Sequence, residues 1–126
     1  MTDPRLLEYN LSRLRYRNPE VRLKSIDELR LLDDPAGWEA IEELYQTETE
    51  ASVRRSAQMA LIVHAVSRLT DFDEQVRLKA VDRLREIGDA SVLPTLEKLF
   101  NTDPSDAVKI AARAAGYEIF VRSRIP

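Results

Sequence analysis

A chain of 126 residues is long enough for one small domain with its own core, and 44% hydrophobic with 33% charged residues is the balance of a folded, helix-rich protein, not a disordered one. The absence of cysteine excludes disulfides and thiolate metal sites, and only three glycines argue against a turn-rich all-β fold. The net charge of −3 alternates along the chain: +3 over 1–25, −8 over 26–50, +3 over 51–70, −4 over 71–106 and +3 over 107–126. That alternation suits helices packed on neighbours of opposite sign and argues against the single basic stripe of a nucleic-acid binder.

The start, Met1-Thr2-Asp3-Pro4-Arg5, lacks the basic-then-apolar pattern of a signal peptide, and no apolar run approaches the ~18 residues of a membrane span, so a cytoplasmic location is expected. An N-terminal helix is predicted over about 4–17. A second, about 19–32, puts Val21, Ser25, Ile26, Leu29 and Leu32 on one stripe. Asp33-Asp34-Pro35 ends it and caps the next, about 36–47, which carries Trp38, Ile41, Leu44 and Tyr45 on one side. A long helix, about 50–69, is apolar on most sides and should lie between neighbours. Three more helices are predicted over about 74–87, 91–101 and 104–123, the last opened by Asp103-Pro104 as cap and first-turn proline. Gly88 is placed as a left-handed helix end. Gly116, among Ala111, Ala112, Ala114 and Ala115, is read as a small-residue surface for close helix approach.

The strongest feature is an internal repeat. Val21-Arg22-Leu23-Lys24 recurs as Val76-Arg77-Leu78-Lys79 at an offset of 55, and 12 of the 33 positions of 21–53 are identical in 76–108 without a gap. Ser12-Arg13-Leu14 likewise matches Ser67-Arg68-Leu69. Two leucine-rich helices alike by chance would not keep register across two loops. The organisation expected is one domain over 1–126, with units of about 18–72 and 73–126 after the N-terminal helix 4–17.

Asn18-Pro19-Glu20-Val21-Arg22 with Ser25 and Leu29 resembles the start of a HEAT-like repeat. So do Glu50-Ala51-Ser52-Val53-Arg54 with Ala57, Asp73-Glu74-Gln75-Val76-Arg77 with Ala80 and Leu84, and, more weakly, Ser105-Asp106-Ala107-Val108-Lys109 with Ala112. The intervals between these Val-Arg pairs are 32, 23 and 32 residues; the short one departs from the family pattern, as if a second helix were missing between 54 and 76. The resemblance is closest to the short HEAT-like repeats of the phycobilisome-lyase class. It implies an all-α fold, an α–α superhelix or HEAT-like solenoid of about seven helices. It also implies that Arg22 and Arg77 link neighbouring repeats; a buried guanidinium needs a carboxylate or carbonyls, and Asp34 and Asp89 are the candidate partners. Families with such repeats include scaffolds, adaptors and pigment-lyase subunits, so fold does not dictate activity.

No residue stands out as catalytic and no cofactor is implied. His64, the single histidine, sits in the apolar run 61–66 and reads as packed or edge-exposed. Asp33/Asp34 and Glu42/Glu43 read as capping or solvated acids, because adjacent acids on a helix point apart. Arg13, Arg15 and Arg17 spread around their helix with few aromatics to stack bases. One candidate partner surface is the outward arc Glu39, Glu42, Glu43 and Gln46, continued by Glu97 and Lys98, an acidic inner face suited to a basic protein. The other is the C-terminal helix, whose Ile119, Phe120, Val121 and Ile125 lack a polar capping repeat; Ile119 and Val121 are its candidate contacts, with a homodimer as one outcome. Leu23 and Leu78 point off the main stripe of their helices. The reading is a non-enzymatic interaction scaffold or adaptor. A bilin lyase-like or chaperone-like subunit acting on phycobiliproteins is the alternative implied by the resemblance; nucleic-acid binding is a third.

Overall fold

The computed structural model describes residues 2–124. Among them are seven α-helices and no strand: α1 Pro4–Arg13, α2 Pro19–Leu32, α3 Pro35–Thr47, α4 Ala51–Arg68, α5 Glu74–Ile87, α6 Leu93–Thr102 and α7 Asp106–Ser123, with a short 3-10 turn, Ala90–Val92, leading into α6. The architecture is an all-α helical repeat. Shifted by 55 residues, α2 falls on α5 and α4 on α7 end for end, and α3 falls on the turn plus α6. The shift also lays α1 on the C-terminal part of α4. The chain forms two compact units, 1–61 and 62–126, so the division falls inside α4. It precedes the sequence boundary at 72/73 because the end of α4 stands to α5 in sequence as α1 stands to α2.

Helix starts follow local chemistry. Asn18, Asp34 and Asp73 each accept a hydrogen bond from the backbone N–H two residues on, at 3.0, 2.9 and 2.8 Å, which satisfies a donor the first turn leaves free. Proline follows directly in α2 and α3, where its missing N–H costs nothing. The cores of the two units are built from equivalent positions. Ile26, Leu29, Ile41, Val53 and Ala57 are buried in the first, and Val81, Leu84, Leu96, Val108 and Ala112 in the second. Each large aliphatic side chain so buried contributes about 1.5–3 kcal/mol relative to exposure.

Several expectations are corrected. The first helix ends at Arg13, not near 17, because the Tyr16 and Arg17 carbonyls are taken by the Arg22 guanidinium and Asn18 already caps α2. The last helix starts at Asp106 with Ser105 as its cap, since Asp103 ends α6 and its carboxylate is engaged elsewhere. Gly88 is extended (φ −70°), not left-handed; a Cβ there would stand 2.5 Å from the Leu84 carbonyl oxygen, so glycine is required by crowding. Its counterpart Asp33 takes the left-handed conformation instead (φ 51°), with its carboxylate accepting from Trp38 Nε1 at 2.7 Å. The small-residue stretch is not one packing surface: Ala112 and Ala115 are buried, Ala114 is exposed, and a Cβ on Gly116 would meet nothing within 4 Å.

In the first unit, Asn10 Oδ1 and Ser25 Oγ are buried without a hydrogen-bond partner, on the paired helices α1 and α2. The equivalent positions in the repeat are Ala65 and Ala80, both buried. Leaving a buried polar atom unpaired costs about 1–3 kcal/mol. Ser25→Ala is therefore expected to stabilise the fold by about 1 kcal/mol, read as a higher midpoint in urea. A lower midpoint would show that the hydroxyl has a stabilising role.

Candidate functional site

Two arginines organise the turns. Arg22 donates through Nε and Nη2 to both oxygens of Glu48, each at 2.9 Å, and through Nη1 to the carbonyls of Tyr16 (2.7 Å) and Arg17 (2.8 Å). Arg77 repeats this on partners shifted by 55. It donates to Asp103 at 2.9 and 3.2 Å and to the carbonyls of Asp71 and Phe72 at 3.0 Å each. The fork of a guanidinium matches a carboxylate in this two-point geometry. Both pairs are nearly buried, with side-chain exposures of 14% and 6% for Arg22 and Glu48 and 11% and 3% for Arg77 and Asp103.

Asp34 and Asp89 are thus not the arginines' carboxylates. Asp34 caps α3, and Asp89 accepts from the Ser91 N–H at the 3-10 turn. An aspartate that caps the helix following its own turn has its side chain committed there. The true partners lie 26 residues beyond each arginine, in the turn before the next long helix. Their only sequence signal was an acid at both copies of one repeat position.

Burial pushes the Glu48 carboxyl upward, but hydrogen bonds from Arg22 and the Glu50 N–H, with the guanidinium charge, outweigh it and hold the group below its ordinary pKa. Asp103 behaves alike: burial raises it, while the Ser105 N–H, Arg77 and the nearby charge of Lys109 lower it further. In each, one guanidinium ties the turn before its own helix to the turn before the next long helix.

The surface candidates divide. Glu39, Glu43 and Gln46 are exposed on α3 and Glu42 is half-buried, its Oε1 accepting from Gln46 Nε2 at 3.2 Å. Glu39 and Glu43 line a groove of about 380 Å³ between α1 and α3, together with Leu11, Leu14, Leu44 and Arg15. Glu97 and Lys98 are exposed on α6, and Glu97 borders a separate groove with Phe100, Arg113, Gly116, Tyr117 and Phe120. Ile119 is not a surface residue: it is fully buried, on the inner stripe of α7 with Val108, Ala112 and Ala115. Val121 and Phe120 are exposed, and Ile125 lies outside the described residues. Leu23 and Leu78 are half-buried, and so is His64, whose repeat counterpart is Ile119.

Of the outer face of α7, sequence reasoning named Val121 and missed the rest. Ala107, Ile110, Ala114, Tyr117 and Val121 all point to solvent, with Ile110 69% and Tyr117 70% exposed. A surface helix normally carries polar residues opposite its core stripe. Here both faces are apolar, which in the sequence alone looks like a helix buried all round.

A family model described as HEAT repeats matches residues 64–115. That stretch is similar to HEAT repeats. It contains α5 and α6 whole and runs into α7, and it takes in most of the second copy of the 55-residue repeat. The match reaches HEAT repeats and no subtype among them, so the phycobilisome-lyase likeness stays a likeness of motifs. No curated protein and no solved structure matches the chain. Among the described residues, no helix is long and apolar enough to cross a membrane, and no three His, Cys, Asp or Glu side chains group as metal ligands would.

Proposed function

We propose that this HEAT-like protein is a non-enzymatic interaction scaffold or adaptor of the cytoplasm, binding another protein through the outer face of α7. The observation that carries the reading is the exposed apolar row Ala107, Ile110, Ala114, Tyr117 and Val121. In α4, the repeat counterpart, the corresponding residues are Ser52, Arg55, Met59, Ile62 and Val66: polar where exposed, and apolar only where buried or half-buried. Contiguous exposed apolar surface of this kind marks interaction sites, and HEAT repeats commonly mediate protein–protein contacts. The acidic arc of α3 offers a second surface, on which Glu39 and Glu43 favour a basic segment.

The test is affinity capture from the native cell with three baits: wild type, Ile110→Glu with Tyr117→Glu, and Glu39→Lys with Glu43→Lys. Loss of the principal captured protein with the α7 variant alone is the expected result. Identical captures by all three baits would overturn the reading.

A further inference from the structure

The row on α7 has a spacing that says more than that it is apolar. Ala107, Ile110, Ala114, Tyr117 and Val121 follow one another at intervals of 3, 4, 3 and 4, the strict seven-residue seam by which one helix pairs lengthwise with another. The inner stripe, Val108, Ala112, Ala115 and Ile119, faces the core of the second unit, so the seam is free along about 21 Å of helix. Grooves flank it on both sides. One, toward α5, is lined by Arg85, Glu86, Glu118 and Arg122; the other, toward α6, by Leu93, Phe100, Gly116 and Phe120.

Resting on the proposed function, we infer that the occupant is α7 of a second copy, paired in parallel about a two-fold axis. Two observations favour it over a further stacked helix pair. In α4, the positions equivalent to the end of the seam, Ile62 and Val66, are buried and half-buried, whereas those equivalent to its start, Ser52 and Arg55, are exposed and polar. A further repeat that left the counterparts of Ser52 and Arg55 exposed would not cover Ala107 and Ile110. A helix running the full length of α7 covers all five residues.

The second observation is charge. Arg113 and Glu118 flank the seam on opposite sides, five residues apart, and both are exposed. In a parallel pair these two flanking positions meet across the seam, so each copy's Arg113 faces the other's Glu118, twice by symmetry. Among the described residues Glu118 pairs loosely at the surface with Arg85, at 3.6 Å, and Arg113 lies 5.8 Å over the Phe100 ring. Both can turn to the seam at little cost. Alternating alanines with Ile110 and Tyr117 leave room for the two backbones to approach.

Sedimentation equilibrium of the full chain tests the inference. Wild type should shift from one chain toward two between about 5 and 500 µM, as a short seam predicts. Arg113→Glu and Glu118→Arg, checked for wild-type circular dichroism, should each weaken association by roughly tenfold or more, through like charges facing across the seam. An equimolar mixture of the two should regain wild-type association, because each variant's changed charge then meets its opposite. Wild type that stays monomeric over the whole range would overturn the inference. So would charge variants that self-associate as wild type does, or a mixture that regains nothing. A monomeric wild type whose Ile110→Glu, Tyr117→Glu form still loses its cellular partner would sink the dimer and leave the interaction reading standing.

Discussion

Ile119→Glu is expected to destabilise the fold by at least about 4 kcal/mol, while Val121→Glu, two positions on, leaves stability within about 0.5 kcal/mol of wild type. Ile119 is fully buried on the core side of α7, beside Gly88, where a Cβ would already lie 3.1 Å from its Cδ1. Truncating such an aliphatic side chain costs about 2–5 kcal/mol, and a carboxylate in its place must also be desolvated or protonated. The sum, at least about 4 kcal/mol, is a large share of the roughly 5–15 kcal/mol that holds a domain of this size together. Val121 is on the solvent side, where a charge stays hydrated. Urea titrations followed by circular dichroism read both variants. An Ile119→Glu midpoint equal to that of wild type would mean the inner and outer faces of α7 have been exchanged.

Arg77→Ala is the second large effect, a loss of about 3–5 kcal/mol, because Asp103 is left buried and charged without its guanidinium. Asp103 keeps one hydrogen bond, from the Ser105 N–H, but loses both arginine contacts, and the Asp71 and Phe72 carbonyls lose their shared donor. Arg30→Ala is the control. Arg30 stands 3.7 Å from Asp27 with both side chains well exposed, and its removal should cost no more than ~0.5 kcal/mol. If the two variants melted together in urea, the buried clasp would contribute no more than a surface pair does.

These two effects mark the limit of what could be read from residues in order. Helix positions were legible because their determinants are local. Asn18, Asp34 and Asp73 cap within two residues, prolines sit in first turns, and apolar residues recur within a turn or two. Where local readings failed, a distant group had claimed the residue. Asp103 looked like a helix cap but is held by Arg77, 26 positions earlier, and the end of the first helix is undone by Arg22 taking carbonyls from its tail. Asp34 and Asp89 are near the arginines in sequence, yet nearness along a chain does not set where a long side chain reaches.

By itself the sequence determined an all-α repeat of about seven helices, the 55-residue duplication and the helix stripes that pack, because periodicity, capping and self-similarity are written within a few residues of each position. Only the tertiary structure decided which acid holds each arginine, that Gly88 is required by crowding where Asp33 turns left-handed, and that Ile119 faces inward while Ile110 and Tyr117 face water. The physical reason is the same in each case. A helix apolar on both sides, or a charge on a flexible stem, has several equally good local solutions, and what selects among them is the set of neighbours that the fold brings within a few ångströms.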